Sequence, residues 1–86
     1  MESFLKQVPR EMRIAGLRET MRALREGNVK RVLIARDADN DIQNLIAKTC
    51  TDLGINFRFV SDKEEIGRLL NLDVGCAVVA QRITAK

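Results

Sequence analysis

Apolar and polar positions along this 86-residue chain fall into alternating stretches of two periods. Leu17, Thr20, Met21 and Leu24 recur at i, i+3, i+4 and i+7, which predicts a helix from about Leu17 to Glu26 with that stripe buried. Gly27-Asn28 supplies its stop. Ile42, Leu45, Ile46, Thr49, Cys50 and Leu53 set out a second helix that Gly54 closes. Between the two, Val29 to Ala35 ends in a continuous apolar run, the mark of a strand covered on both faces. Ile55 to Val60 alternates Ile55, Phe57 and Phe59 against Asn56 and Arg58, as a half-covered strand does.

Ser61-Asp62 ahead of Glu64-Glu65 has the spacing of a capping box, opening a third helix that buries Ile66, Leu69 and Leu70. Asn71 to Gly75 reads as a loop, Cys76 to Ile83 as the last strand, and Met12 to Ala15 as a short first one. Strand and helix therefore alternate from end to end. That order predicts a single α/β domain over residues 12–86, a central sheet with helices on both faces. Residues 1–11 form an N-terminal extension. Phe4, Leu5 and Val8 make one helical turn over the core edge, ended by Pro9, or else a partly ordered tail.

Composition narrows the function classes. An apolar fraction of 45% with 31% charged residues suits one small folded domain. Three aromatics, all Phe, are too few for a base-stacking sheet. The net charge of +3 is modest, but residues 1–36 hold nine Lys and Arg against four Glu, so the front half is the basic half. No 18-residue apolar run and no secretory leader are visible, which predicts a cytoplasmic protein without a membrane segment. Cys50 and Cys76 stand apart with no C-x-x-C and no histidine, so a zinc site is excluded and both read as buried thiols.

The aspartates at 37, 39 and 41 imitate a calcium loop, but its sixth position is Ile42 instead of glycine and its twelfth Lys48 instead of glutamate. They read as the turn and cap of the second helix. No phosphate-cradling glycine motif, no nucleophile beside a base and no facing carboxylate pair occur. An enzyme is not expected, and neither a cofactor nor a metal.

The stretch with chemical promise is Ile14 to Leu24. A glycine precedes a helix whose first turns carry Arg18, Glu19, Thr20 and Arg22, at the end where unpaired N–H groups and the positive dipole favour anions. Arg18, Arg22 and Arg25 share an outward ridge, suited to phosphates or guanine edges. Read from the residues alone, the ridge is equally a solvated helix face, and Glu19 equally a dipole-favouring carboxylate or a partner for Arg22.

Two segments carry a resemblance that periodicity does not supply. Ala15-Gly16-Leu17-Arg18-Glu19-Thr20-Met21-Arg22-Ala23-Leu24, continuing through Gly27-Asn28-Val29-Lys30 to Asp39, is the first. Gly54-Ile55, then Ile66-Gly67-Arg68 through Leu72-Asp73-Val74-Gly75 to Ala80, is the second. Together they resemble the kink-turn-binding ribosomal proteins of the L7Ae and L30e superfamily, most of all its short bacterial branch, over residues 12 to 83.

The resemblance implies a three-layer α/β/α sandwich around a four-stranded mixed sheet. It also implies binding to kink-turns, in which a bulge beside tandem G·A pairs bends the duplex sharply. The family's binding stretch falls on Gly16 to Arg22, which assigns Gly16, Arg18, Glu19, Thr20 and Arg22 to the RNA. Arg18 and Glu19 would address the guanines. The basic position after the central strand falls on Arg36, and a second contact loop on Leu72, Asp73, Val74 and Gly75. The implied partner is a kink-turn RNA, in ribosomal RNA or a structured leader, and nothing demands more than a monomer. Arg18 departs from the asparagine of non-bacterial members and Glu19 from the glutamine of close bacterial ones. Two other readings stand beside this one: a protein-interaction module of the same fold, and a small-ligand binder at the sheet's switch point.

Overall fold

A computed structural model describes residues 10–69 and 76–84. After a 3-10 turn (Arg10–Met12) come β1 (Arg13–Ala15), α1 (Leu17–Arg25), β2 (Val29–Ala35), α2 (Asn40–Leu53), β3 (Asn56–Val60), α3 (Lys63–Leu69) and β4 (Val78–Arg82). The strands form one sheet in the order β1-β4-β2-β3. β2 and β3 are parallel, and β4 runs antiparallel to both β1 and β2. The sheet is therefore mixed, and β1, β2 and β3 all point the same way.

The apolar run of β2 divides by parity, because successive strand side chains face opposite sides. Val32 and Ile34 join Val78 and Ala80 in one core with Ala23 and Leu24 of α1 and Ile46 and Cys50 of α2. Leu33 and Ala35 join Val79, Val60 and Ile66 of α3 on the other face. Two helices cover one side and one covers the other, the three layers expected. Both faces of β2 are filled, so every side chain from Val32 to Ala35 is buried.

Helix ends follow the sequence closely. The Gly27 and Asn28 N–H groups bond back to Leu24 O and Ala23 O, ending α1 at Arg25, one residue earlier than expected. Gly54 (φ 71°) ends α2 the same way, with Ile55 N–H on Cys50 O at 2.8 Å. At α3 the forward half of the capping box is present, Asp62 Oδ1 accepting from Glu65 N–H at 2.8 Å. Glu65 Oε1 reaches one residue further back and accepts from the Ser61 hydroxyl at 2.6 Å.

Three expectations need correction. The α2 stripe is narrower than its periodicity suggested: Ile46 and Cys50 are buried, but Leu45 is 45% and Leu53 51% exposed. Cys50 lies directly over the sheet, whereas Leu53 is in the last residue of the helix, where it meets solvent. Asp39 occupies the N-cap of α2 without a side-chain bond to it. Asp37 is the carboxylate that caps, and it serves α3, accepting from Lys63 N–H at 2.8 Å. The last strand is also shorter than predicted, since Cys76 and Ala77 precede it and Ile83 follows it. The expected turn at Phe4, Leu5 and Val8, Leu70 and the Asn71–Gly75 loop lie outside the described residues.

Candidate RNA interface

Because β1, β2 and β3 run in one direction, α1, α2 and α3 all begin at the same end of the sheet. That end is where open α/β sheets gather their ligands. Three backbone bonds tie it together: Gly16 N–H to Val78 O at 3.0 Å, Ala35 N–H to Ala77 O at 2.8 Å and Arg36 N–H to Val60 O at 2.9 Å. They set the start of α1, the lead into β4 and the end of β2 side by side. Gly16 and Arg36, twenty positions apart in sequence, flank the same stretch of β4.

Gly16 is the N-cap of α1 at φ 98° and ψ 157°, a backbone conformation reserved for glycine. A Cβ built there meets no atom within 4 Å, so the peptide faces open space. Arg18 and Glu19 follow on the exposed face of α1, with Arg22 and Arg25 beyond them. Glu19 and Arg22 form an ion pair at 3.7 Å with side chains 55% and 67% exposed. Such a pair contributes little to stability and separates at small cost.

Thr20 does not belong with them. Its side chain is completely buried, and its hydroxyl has no hydrogen-bond partner. The stripe periodicity placed Thr20 inside while the family's binding stretch placed it at the RNA. In this structure the stripe wins, and Thr20 supports α1 from beneath.

Arg36 is exposed at the end of β2, its guanidinium carbon 5.4 Å from the centre of the Phe59 ring. Gln43 of α2 donates from Nε2 to Arg36 O at 3.0 Å and to Ala38 O at 2.7 Å, fixing the turn that carries it. Nothing in the sequence marked Phe59 as a partner of Arg36. The only available signal was register: Phe59 pairs with Ile34, two residues before Arg36. Leu72, Asp73, Val74 and Gly75 lie outside the described residues.

Among the described residues other chemistry at this end is sparse. An open recess of about 450 Å³ is lined by Asp37, Asp62, Lys63 and Glu64, a mostly polar wall, whereas small-ligand pockets are mostly apolar. Among the described residues no group of three or more acidic, histidine or cysteine side chains is placed to hold a metal. Burial pushes the Cys50 thiol up to about 11, so it stays protonated and unreactive at neutral pH. No described helix is long and apolar enough to cross a membrane.

The sheet order and the three helices define an α/β protein with a four-stranded mixed sheet between two helical layers. The chain matches the model of the ribosomal protein L7Ae/L30e/S12e/Gadd45 family over residues 2–85, and it belongs to that family. It is 32% identical over 71 residues to an RNA-binding protein of Caldanaerobacter subterraneus subsp. tengcongensis, covering 83% of this chain and 87% of that protein. It is 33% identical over 66 residues to the large ribosomal subunit protein eL8 of Haloquadratum walsbyi, covering 76% of this chain and 55% of that one. Among solved structures, the 15.5kD RNA binding protein of Giardia lamblia superimposes with a TM-score of 0.80 at 27% identity, covering 86% of this chain and 62% of that one.

Proposed function

We propose that this protein is a non-enzymatic RNA-binding protein that recognises and stabilises kink-turns in structured RNA, ribosomal RNA included, in the cytoplasm. The observation that carries the reading is the joint placement of Gly16, Arg18 and Glu19 with Arg36 along one end of the sheet. Family membership and the RNA-binding names of the relatives support it.

The physical logic is that A-form RNA hides its major groove, so proteins address distorted sites. A kink-turn opens the groove at its G·A pairs. Arg18 would donate to guanine O6 and N7, and Glu19 would accept from a guanine amino or imino group. Arg22 and Arg36 would meet phosphates, and the open peptide at Gly16 would let the RNA backbone come close. Binding would shift the RNA toward a bent state that it already samples, with no covalent step.

The test is a titration of a simple kink-turn against the same RNA with its G·A pairs replaced. Tight, G·A-dependent binding is expected. With about five phosphates neutralised, log K should fall against log salt with a slope of about −4. Equal binding to both RNAs, or to neither, would refute the proposal.

A further inference from the structure

We infer that Phe59 is a positioning residue for Arg36: its ring holds the guanidinium flat, so that the edge donors of Arg36 are presented ready-made to RNA. The inference rests on the reading of Arg36 as an RNA contact and adds how that contact is built. Nothing in the resemblance assigned Phe59 a role.

Three restraints converge on Arg36. Its N–H donates to Val60 O at 2.9 Å, its carbonyl accepts from Gln43 Nε2 at 3.0 Å, and its guanidinium carbon stands 5.4 Å from the Phe59 centroid. The backbone is thus pinned on both sides, and the guanidinium stands over a ring. Among the described residues Arg36 makes no ion pair, and its guanidinium stands over the Phe59 ring. Phe59 is itself fixed: it packs against the core beneath α1 and α2, and Phe57 meets it edge-on with centroids 6.1 Å apart and planes at 80°.

A guanidinium over an aromatic face is attracted by the ring quadrupole, while its five N–H donors lie in its own plane and point outward. A guanidinium held above the ring with its plane along the ring face would leave its donor edge unused. A free arginine gives up much rotamer freedom when it binds, and one already resting on a ring gives up less. The consequence is a tighter complex without any contact between Phe59 and RNA.

The experiment combines RNA titration with NMR of the free protein. Phe59→Leu keeps apolar bulk and removes the ring, and Phe59→Tyr keeps the ring. On a kink-turn RNA, Phe59→Leu should weaken binding about two- to fivefold, the range of an exposed cation–π contact. Phe59→Tyr should restore it. In the Arg36→Ala background Phe59→Leu should have no further effect. A loss of equal size in both backgrounds would show that the ring acts through the core and overturn the inference.

In RNA-free wild type the Arg36 side-chain protons should carry a ring-current shift that Phe59→Leu abolishes. Its absence overturns the positioning device whatever the RNA results. A wild type that shows the shift yet binds kink-turn RNA with no G·A dependence refutes the proposed function instead, and the inference falls with it.

Discussion

The carboxylate of Asp37 accepts a 2.8 Å hydrogen bond from the backbone N–H of Lys63, 26 residues further along the chain. The carbonyl of the same residue accepts from Cys76 N–H at 3.0 Å. One residue at the start of α3 thus fastens the turn after β2 and the lead into β4, the two segments that border the proposed RNA interface. Asp37 acts as a cap delivered from a distant loop, since the orphan N–H groups of a first helical turn need an acceptor. Asp37→Ala should therefore destabilise the domain by about 1 kcal/mol, lowering Tm by roughly 4–8 °C. Asp37→Asn, which keeps an acceptor oxygen, should lose less. Urea and thermal unfolding of the two variants check this, and identical curves for Asp37→Ala and wild type would dismiss the cap.

Thr20 offers the opposite sign. A buried hydroxyl without a partner costs stability, about 1–3 kcal/mol for full desolvation. Thr20→Val removes that group and keeps the branched shape, so unfolding should move toward greater stability by about 1 kcal/mol. Because the side chain is enclosed, RNA affinity should stay within twofold of wild type. A stability gain joined to a large loss of RNA binding would mean that Thr20 turns outward to meet the ligand.

Periodicity made the architecture legible because each element repeats one simple constraint. The parity of Val32, Leu33, Ile34 and Ala35 needs no partner to be read: a run apolar at every position must be covered on both faces. Leu45 and Leu53 show where that reasoning stops. Their spacing matches Ile46 and Cys50, and only the position of the sheet beneath α2 decides which of the four is enclosed. At the interface, the start of α1 was visible as a glycine ahead of arginines. Its neighbours were not, because Asp37 reaches Lys63 and Arg36 meets Phe59 through strand register, a quantity that a single chain read along its length does not contain.

Gly16 separates backbone geometry from crowding. Its φ of 98° and ψ of 157° suit glycine alone, yet a Cβ there would meet nothing within 4 Å. The cost of Gly16→Ala is then conformational and amounts to about 1–3 kcal/mol. Relief of that strain would rotate the peptide that opens α1 and misdirect Arg18 and Glu19. Kink-turn affinity should fall along with stability, as measured by calorimetric titration and urea unfolding. A variant of wild-type stability would show that the open space lets alanine adopt this conformation freely.

Cys50 predicts the alkaline limit. Its folded pKa of about 11 stands above the ordinary 9.0 because burial disfavours the thiolate. A group whose folded pKa is raised contributes fully below the unfolded value and loses that contribution as pH rises. Stability should thus decline between about pH 9 and 11, by no more than about 3 kcal/mol from this group. Cys50→Ala should flatten that part of the profile relative to wild type, whatever it costs in packing at neutral pH. Parallel urea-midpoint profiles across the window would assign the alkaline loss to other groups. In the native state at pH 7.5 the thiol should also resist alkylation until the chain unfolds.

Glu19 decides what kind of reader α1 is. A carboxylate facing phosphate is unfavourable unless it is used, and in the free protein it rests 3.7 Å from Arg22. If its purpose were the helix dipole or that exposed pair, Glu19→Gln would cost no more than about 0.5 kcal/mol of stability and would help every RNA alike by removing a repulsion. If Glu19 accepts from a guanine, Glu19→Ala should weaken the kink-turn by about 1–3 kcal/mol while a plain duplex binds as well as before or slightly better. Arg18→Ala should show a matching loss on the kink-turn, whereas Arg25→Ala, further along the ridge, should weaken both RNAs equally and reduce the salt slope by about 1. Side-by-side titrations of these variants on the two RNAs at two salt concentrations separate base reading from phosphate steering. Equal shifts on both RNAs for Glu19→Ala would leave α1 as a basic ridge without sequence-specific contacts.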